Sequence, residues 1–318
     1  MSVLFKALLL IPFLSLGQTT YLEAYSLFNN KEYSVSENIL KSSLIDNPND
    51  AKLLELLGAI YVIQKNWEAA AILYKNLVRI DSSNAEYHYQ YGNSLGKEAL
   101  KSNMFSAFMM KSTIENEFLT AVSLNKNHID AIWALIVYYT ELPSIIGGSL
   151  ENAKHYASQL ETISSVDYYL AYGYIFEEEN EYQLAEENYL KAIDVGESIT
   201  CYQKLISFYE NEKEFLKAIT YLEIATNKHH WNNFNFQIGK IAASHQLELD
   251  KGAESLKSYL NNYSSTDAIP KEKAYCYLAK IYRYKNDRKN ALKWIHNSLD
   301  ENPNFEDAIK EEKLILKM

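Results

Sequence analysis

Only two cysteines, five prolines and ten glycines occur in 318 residues. So few chain-breaking residues exclude a β-sandwich or barrel, whose short strands need a turn every ~8–12 residues. Positive charge is short as well: 31 basic side chains stand against 41 acidic ones, a net charge of −10. That balance argues against nucleic acid as a partner, since a phosphate backbone needs a cationic face. No His-Glu-x-x-His and no Cys-x-x-Cys is present, and the seven histidines are dispersed, so no metal site is expected. Glycine-rich phosphate loops are missing too, and the one Gly-x-Ser-x-Gly match, Gly92-Asn93-Ser94-Leu95-Gly96, falls inside a repeat helix rather than at a strand-to-helix turn, so neither a catalytic residue nor a cofactor is expected. Beyond the first 17 residues no stretch approaches the ~18–20 apolar residues of a membrane span. What the chain has is apolar mass, 47% of its residues, which excludes a disordered chain. Tyrosine is heavily used: 26 residues against 12 Phe and 4 Trp, so large rings with polar tips do much of the packing.

Residues 1–17, MSVLFKALLLIPFLSLG, combine one lysine (Lys6), an apolar run from Ala7 to Leu16 and a small-residue exit. This is the pattern of a secretory signal peptide, and the run is too short to cross a bilayer. No cysteine follows it, so a lipid anchor is not expected, and a soluble mature chain is. Cys201 and Cys276 fall two repeats apart in the scheme below. Helices pack ~8–10 Å apart, so these thiols are too distant to pair and are expected to be buried and free.

One pattern with a period of about 34 residues organises the rest. Leu57-Gly58, Tyr61, Trp67, Ala70, Tyr74 and Leu77 recur as Tyr172-Gly173, Phe176, Tyr182, Ala185, Tyr189 and Ala192. They recur again as Leu205-Ile206, Tyr209, Phe215, Ala218, Leu222 and Ala225, and as Leu278-Ala279, Tyr282, Arg288, Ala291, Ile295 and Ser298. A degenerate first copy runs through Ala24, Tyr33, Ser36 and Leu40. The apolar positions step by three and four, which puts them on one face of a helix. Gly58, Gly92, Gly173 and Gly239 occupy one repeat position. A helical glycine costs about 1 kcal/mol, so its recurrence predicts a close helix crossing there. The alanines Ala70, Ala185, Ala218 and Ala291 are the expected small partners on the second helix. Prolines Pro48 and Pro303 stop second helices.

The breaks in the pattern are informative. Copy three carries roughly ten extra residues between Gly92 and Ala121, the alanine expected in its second helix. This stretch, residues 99–110, is rich in Met and Phe. It reads either as longer helices packed on a neighbour or as an exposed apolar lip for a partner. Copy four has Leu142 to Ser149 in place of a tight turn. Pro143 ends the first helix, Gly147 and Gly148 permit unusual backbone angles, and Ser149 is placed to cap the helix starting at Leu150. That helix start behind two glycines reads as a structural turn, or as an anion cradle. The acidic runs Glu177-Glu178-Glu179 and Glu186-Glu187 read as a solvated helix face.

This spacing resembles the tetratricopeptide repeat over nearly the whole chain. Eight copies begin near residues 17, 51, 85, 129, 166, 199, 232 and 272, and residues 304–318 read as a capping helix. The expected fold is therefore all-α: a right-handed α-solenoid over residues 18–303, with one continuous core. The combination of Tyr91-Gly92-Asn93-Ser94-Leu95-Gly96, Asn127-His128-Ile129-Asp130-Ala131, Tyr138-Tyr139 and Pro143–Ser149 resembles a group of exported bacterial proteins of this repeat class. That resemblance implies an envelope location, periplasmic or secreted, and a binding role. In this class the first helices line a concave groove. The resemblance then implies that Tyr89, Asn93, Lys97 and Trp133 face it, with Tyr174, Phe236, Lys240 and Arg283 further along. The carboxylate clamp of chaperone-binding members is not matched, because copy two offers Glu55 and Ala59 where Lys and Asn are needed. The expected partner is a protein or extended peptide. A soluble solute-binding accessory of an envelope transporter is the alternative, since stacked rings also bind sugars and small organic acids.

Overall fold

The computed structural model describes residues 12–318 apart from 266. Residues 1–11, most of the expected leader, lie outside the described residues. All regular structure among the described residues is helical. Two compact units divide the chain, one ending at Ser164 and one starting at Ser165.

The first unit contains four helix pairs: α1 (Pro12–Asn29) with α2 (Tyr33–Asp46), α3 (Ala51–Ile63) with α4 (Trp67–Ile80), α5 (Ala85–Ala99) with α6 (Met104–Leu124), and α7 (Ile129–Glu141) with α8 (Leu150–Gln159). The second holds α9 (Ser165–Glu178) with α10 (Tyr182–Gly196), α11 (Ile199–Asn211) with α12 (Phe215–His229), α13 (Asn232–His245) with α14 (Leu249–Asn261), and α15 (Lys271–Tyr284) with α16 (Arg288–Glu301). A last helix, α17 (Glu306–Ile315), follows. Within each unit a helix packs on its successor, and first helices touch the next first helix: α1 on α3, α5 on α7, α9 on α11, α13 on α15. This is the stacking of an α-solenoid; seven of the eight pair starts fall within one residue of the expected repeat starts, whereas the first pair is already helical at Pro12, five residues before residue 17 and inside the expected leader. Ala308 and Ile315 of α17 are buried with Cys276, Ala279, Ala291 and Ile295, so α17 covers the last apolar face.

Five of the intra-pair turns share one geometry. Lys31, Lys65, Asn180, Lys213 and Asn286, each two residues before a second helix, adopt positive φ between 56° and 64°. The next amide in each donates back across the turn: Asn66 N to Tyr61 O at 2.9 Å, Glu181 N to Phe176 O at 2.9 Å, Asp287 N to Tyr282 O at 2.9 Å. The left-handed residue thus closes the first helix and aims the chain into the second. The recurring aromatic at Tyr61, Phe176, Tyr209 and Tyr282 supplies the carbonyl that accepts.

The recurring glycines do meet a second helix, but not its alanines. A Cβ at Gly173 would stand 2.7 Å from the Tyr189 ring, and one at Gly58 3.0 Å from Tyr74. At Gly239 the obstacle is Leu256. The glycine is a slot for a large side chain one turn beyond the expected alanine. The same relation corrects the alignment of the third pair. Phe118 fills the slot at Gly92, so the position of Ala70 falls on Ile114 rather than Ala121. In the degenerate first pair Ser36 Oγ donates to Ala24 O at 2.7 Å instead.

Tyrosine hydroxyls pin pairs together through carboxylates. Tyr189 Oη donates to Glu177 at 2.8 Å, and the other Glu177 oxygen accepts from Asn211 Nδ2 at 2.9 Å. Tyr209 donates to Glu186 at 2.7 Å, which also holds Lys217 at 3.0 Å. Tyr138 and Tyr139 donate to the two oxygens of Glu115 at 3.2 and 2.8 Å. Burial, and then the nearby carboxylates, push these phenols well above the ordinary tyrosine range. Glu177 and Glu186 are therefore acceptors between helices, which corrects their reading as merely solvated.

Ser149 caps α8, its hydroxyl accepting from Asn152 N at 3.2 Å. Gly147 takes φ +103°, and a side chain at Gly148 would collide with the Leu142 carbonyl, so neither glycine is replaceable without backbone strain. Both cysteines are free and buried. A thiol-labelling reagent is expected to leave both unmodified in the native protein and to label both within minutes in denaturant. Fast native labelling of either would contradict the burial.

Candidate binding face

On α5, Tyr89, Asn93 and Lys97 follow one another at successive turns, passing from half-buried to exposed. The N-cap Asn84 orders the start of this helix by accepting from Glu86 N at 3.0 Å and Tyr87 N at 3.3 Å. Trp133, half-buried, lies on α7, which packs beside α5. These four residues therefore sit on two neighbouring first helices of one unit. Tyr89 joins the helices directly, its ring centroid 5.0 Å from that of His128, the N-cap of α7. Burial, with Asp130 and Glu86 nearby, pushes the Tyr89 phenol up to about 12, so it stays a neutral donor.

Sequence reasoning gave no site role to Glu86, or to His128, which it named only within a motif. His128 Nδ1 accepts from Ala131 N at 3.3 Å, which places the proton on Nε2, and Nε2 lies 3.1 Å from Glu86. Together with Asn84, Asn125 and Asn127 they line an open polar depression of about 590 Å³ where α5 and α7 begin. The signal was available: Asn84 and His128 occupy the same cap position in consecutive repeats. Behind it, His88 Nδ1 lies 2.5 Å from Glu117 and ties α5 to α6. Among the described residues no group of three or more His, Cys, Asp or Glu is placed to hold a metal ion.

In the second unit the expected row is not brought together. Tyr174 is half-buried on α9. Lys240 on α13 lies 3.8 Å from Glu210 of α11. Phe236 is a core residue, with its ring 5.4 Å from Tyr259 and 5.7 Å from Tyr277, because its position faces α14 and α15 rather than solvent. Arg283 is committed to Glu311 of α17, with Nε 2.5 Å from the carboxylate. Both are corrected here from groove residues to structural ones.

No family model and no curated protein sequence matches this chain. Solved structures do. A tetratricopeptide repeat protein from Parabacteroides merdae is similar over 94% of this chain and 98% of its own, with 15% identity and a TM-score of 0.51. The C-terminal part of a repeat-containing protein from Cytophaga hutchinsonii is similar over 92% of this chain and 98% of its own, at 15% identity and TM-score 0.47. YrrB, described as a repeat protein with an unusual peptide-binding site, covers 62% of this chain and 97% of its own, at 22% identity and TM-score 0.43. With its helix pairs, glycine slots and left-handed turns, the chain has the fold of a tetratricopeptide repeat protein. Among the described residues no helix is long and apolar enough to cross a membrane.

Proposed function

We propose that this chain is an exported, non-enzymatic repeat scaffold of the bacterial envelope that holds a protein or extended peptide on its first helices. The observation that carries the reading is the α5–α7 face. There a ring, an amide and a lysine stand at successive turns of one helix, with an indole on the next. Such a row suits an extended chain: Asn93 can bond the peptide backbone, the rings take its side chains, and Lys97 favours an acidic residue. Export rests on the leader pattern of residues 1–17.

The test places a photo-crosslinking amino acid at Lys97 in the intact cell. A discrete protein adduct is expected from the envelope fraction. Asn93→Ala combined with Trp133→Ala is expected to lower its yield by about tenfold or more, with the helical circular dichroism retained. An adduct of unchanged yield would remove this face from the proposal. The solute-binding alternative would use the polar depression at Glu86 and His128. A metabolite that raises the melting temperature in wild type but not in Glu86→Ala would favour it.

A further inference from the structure

On α5, Glu86, Asn93 and Lys97 recur at steps of seven and four, so they form one stripe along the helix. A carboxylate stands in its first turn and an ammonium in its last, about 16 Å apart along the axis. The helix macrodipole favours each charge at its own end, yet it acts on every helix alike and does not account for the pair. Of the first helices on either side, α3 has neither charge in those turns, and α7 has the acid, Asp130, without the base.

The acidic end is held in place but not neutralised. Gln90 Nε2 donates to one oxygen of Glu86 at 2.7 Å, and His128 Nε2 to the other at 3.1 Å. His128 uses Nδ1 to accept from Ala131 N, so it brings no charge of its own. The Glu86 side chain is 52% exposed, against 10% for His128, and opens onto the polar depression. After burial, Asp130 and Glu86 are what raise the Tyr89 phenol, so both carboxylates stand near one ring. The basic end is free. Lys97 is exposed and has no ion-pair partner among the described residues. By contrast Lys101 donates to the Lys65 carbonyl at 3.1 Å, and Lys111 lies 3.8 Å from Glu115. Beyond Lys97 the Met- and Phe-rich start of α6 is exposed, so of the two readings of that insertion the structure shows the exposed one.

We infer that the α5–α7 face selects an extended segment carrying a basic and an acidic side chain four residues apart; the inference rests on reading that face as a peptide site. The basic side chain enters the depression beside Glu86 and Asp130, the acidic one meets Lys97, and Asn93 bonds the backbone between them. The spacing follows from geometry. Helical side chains lean toward the N-terminus and lysine is the longer, so the two charged tips stand closer than about 16 Å. Four residues of extended chain span about 13 Å, and side chains at i and i+4 leave the same side of it. A step of three or five sends one of the charges away from the helix.

The probes are capped Ser- and Thr-rich peptides, measured by fluorescence anisotropy on the full chain at low ionic strength, where surface charges are least screened. A peptide with Lys and Glu at i and i+4 is expected to bind about fivefold tighter, or more, than its Lys/Lys and Glu/Glu versions. The same margin is expected over Lys and Glu placed at i and i+5. Lys97→Glu, an exposed substitution compatible with folding, is expected to move the preference to the Lys/Lys peptide. Glu86→Gln keeps an acceptor for His128 and is expected to shrink the advantage of Lys/Glu over Glu/Glu. Equal binding by all four peptides, binding by none, or a ranking that Lys97→Glu leaves unmoved overturns the inference. The face itself is scored separately by the envelope adduct. An adduct lost in Asn93→Ala with Trp133→Ala, alongside peptides that bind alike whatever their charges, removes the charge rule and keeps the face.

Discussion

Alanine at Gly239 is expected to destabilise the second unit by about 1–3 kcal/mol, against the usual helical trend. On an open helix face the same change gains about 1 kcal/mol, because glycine loses more backbone freedom on folding. Here the added methyl falls on the branch point of Leu256, a fully buried side chain in a cluster with Phe236, Tyr259 and Ile281. Either Leu256 leaves its rotamer or α13 separates from α14. Gly96 on α5 supplies the opposite case, with Ile114 Cγ2, at 4.0 Å, the nearest atom to its added Cβ. Gly96→Ala is therefore expected to stabilise by ~0.5–1 kcal/mol. Urea midpoints moving in opposite directions for the two variants would confirm the slot. A higher midpoint for Gly239→Ala would show that Leu256 has room to spare.

That contrast marks what a sequence pattern can carry. The period and the glycine column located the helix pairs because both follow from local geometry: three-and-four spacing, and a residue whose helical cost needs a reason. What fills each slot was not local. Ala70 and Tyr74 lie on the same face of α4, one turn apart, and only their tilt relative to α3 decides which meets Gly58. The sequence pattern favours the small residue, whereas the packing uses the glycine to admit the large one. The same ambiguity moved the third pair out of register, since Ala121 looks like the repeat alanine until Phe118 is found against Gly92.

Site residues were legible in proportion to how few neighbours decide them. Tyr89, Asn93 and Lys97 lie on one helix, and their helical spacing alone puts them in a row. Phe236 and Arg283 depend on partners that arrive later in the chain. The ring of Phe236 is covered by Tyr259 and Tyr277, and Arg283 is claimed by a carboxylate 28 residues on. Glu86 and His128 were given no site role for the reverse reason. Each looks like an ordinary cap or first-turn residue, and they meet across 42 positions only because α5 and α7 start side by side.

The pair formed by Arg283 and Glu311 yields the other large expected effect. Glu311 is 8% exposed and Arg283 19%, with Nε 2.5 Å and Nη2 3.3 Å from the two carboxylate oxygens. Glu311→Ala leaves a guanidinium beneath α17 without its carboxylate, and is expected to cost about 2–3 kcal/mol. A fully buried pair would cost about 3–5 kcal/mol, but Arg283 keeps some contact with water. Arg283→Met combined with Glu311→Leu is expected to recover most of the loss, because no charge is then stranded. Cys276 reports the event independently. Burial, and then Glu311 and Asp307, push its thiol up to about 12, so it is inert while α17 is seated. Lifting α17 would expose that thiol while Cys201, buried on α11, stays protected. Glu311→Ala should therefore accelerate labelling of Cys276 alone, and the apolar double variant should slow it again. Equal labelling rates in wild type and Glu311→Ala, with unchanged urea midpoints, would mean that the apolar face of α17 holds the helix without the ion pair.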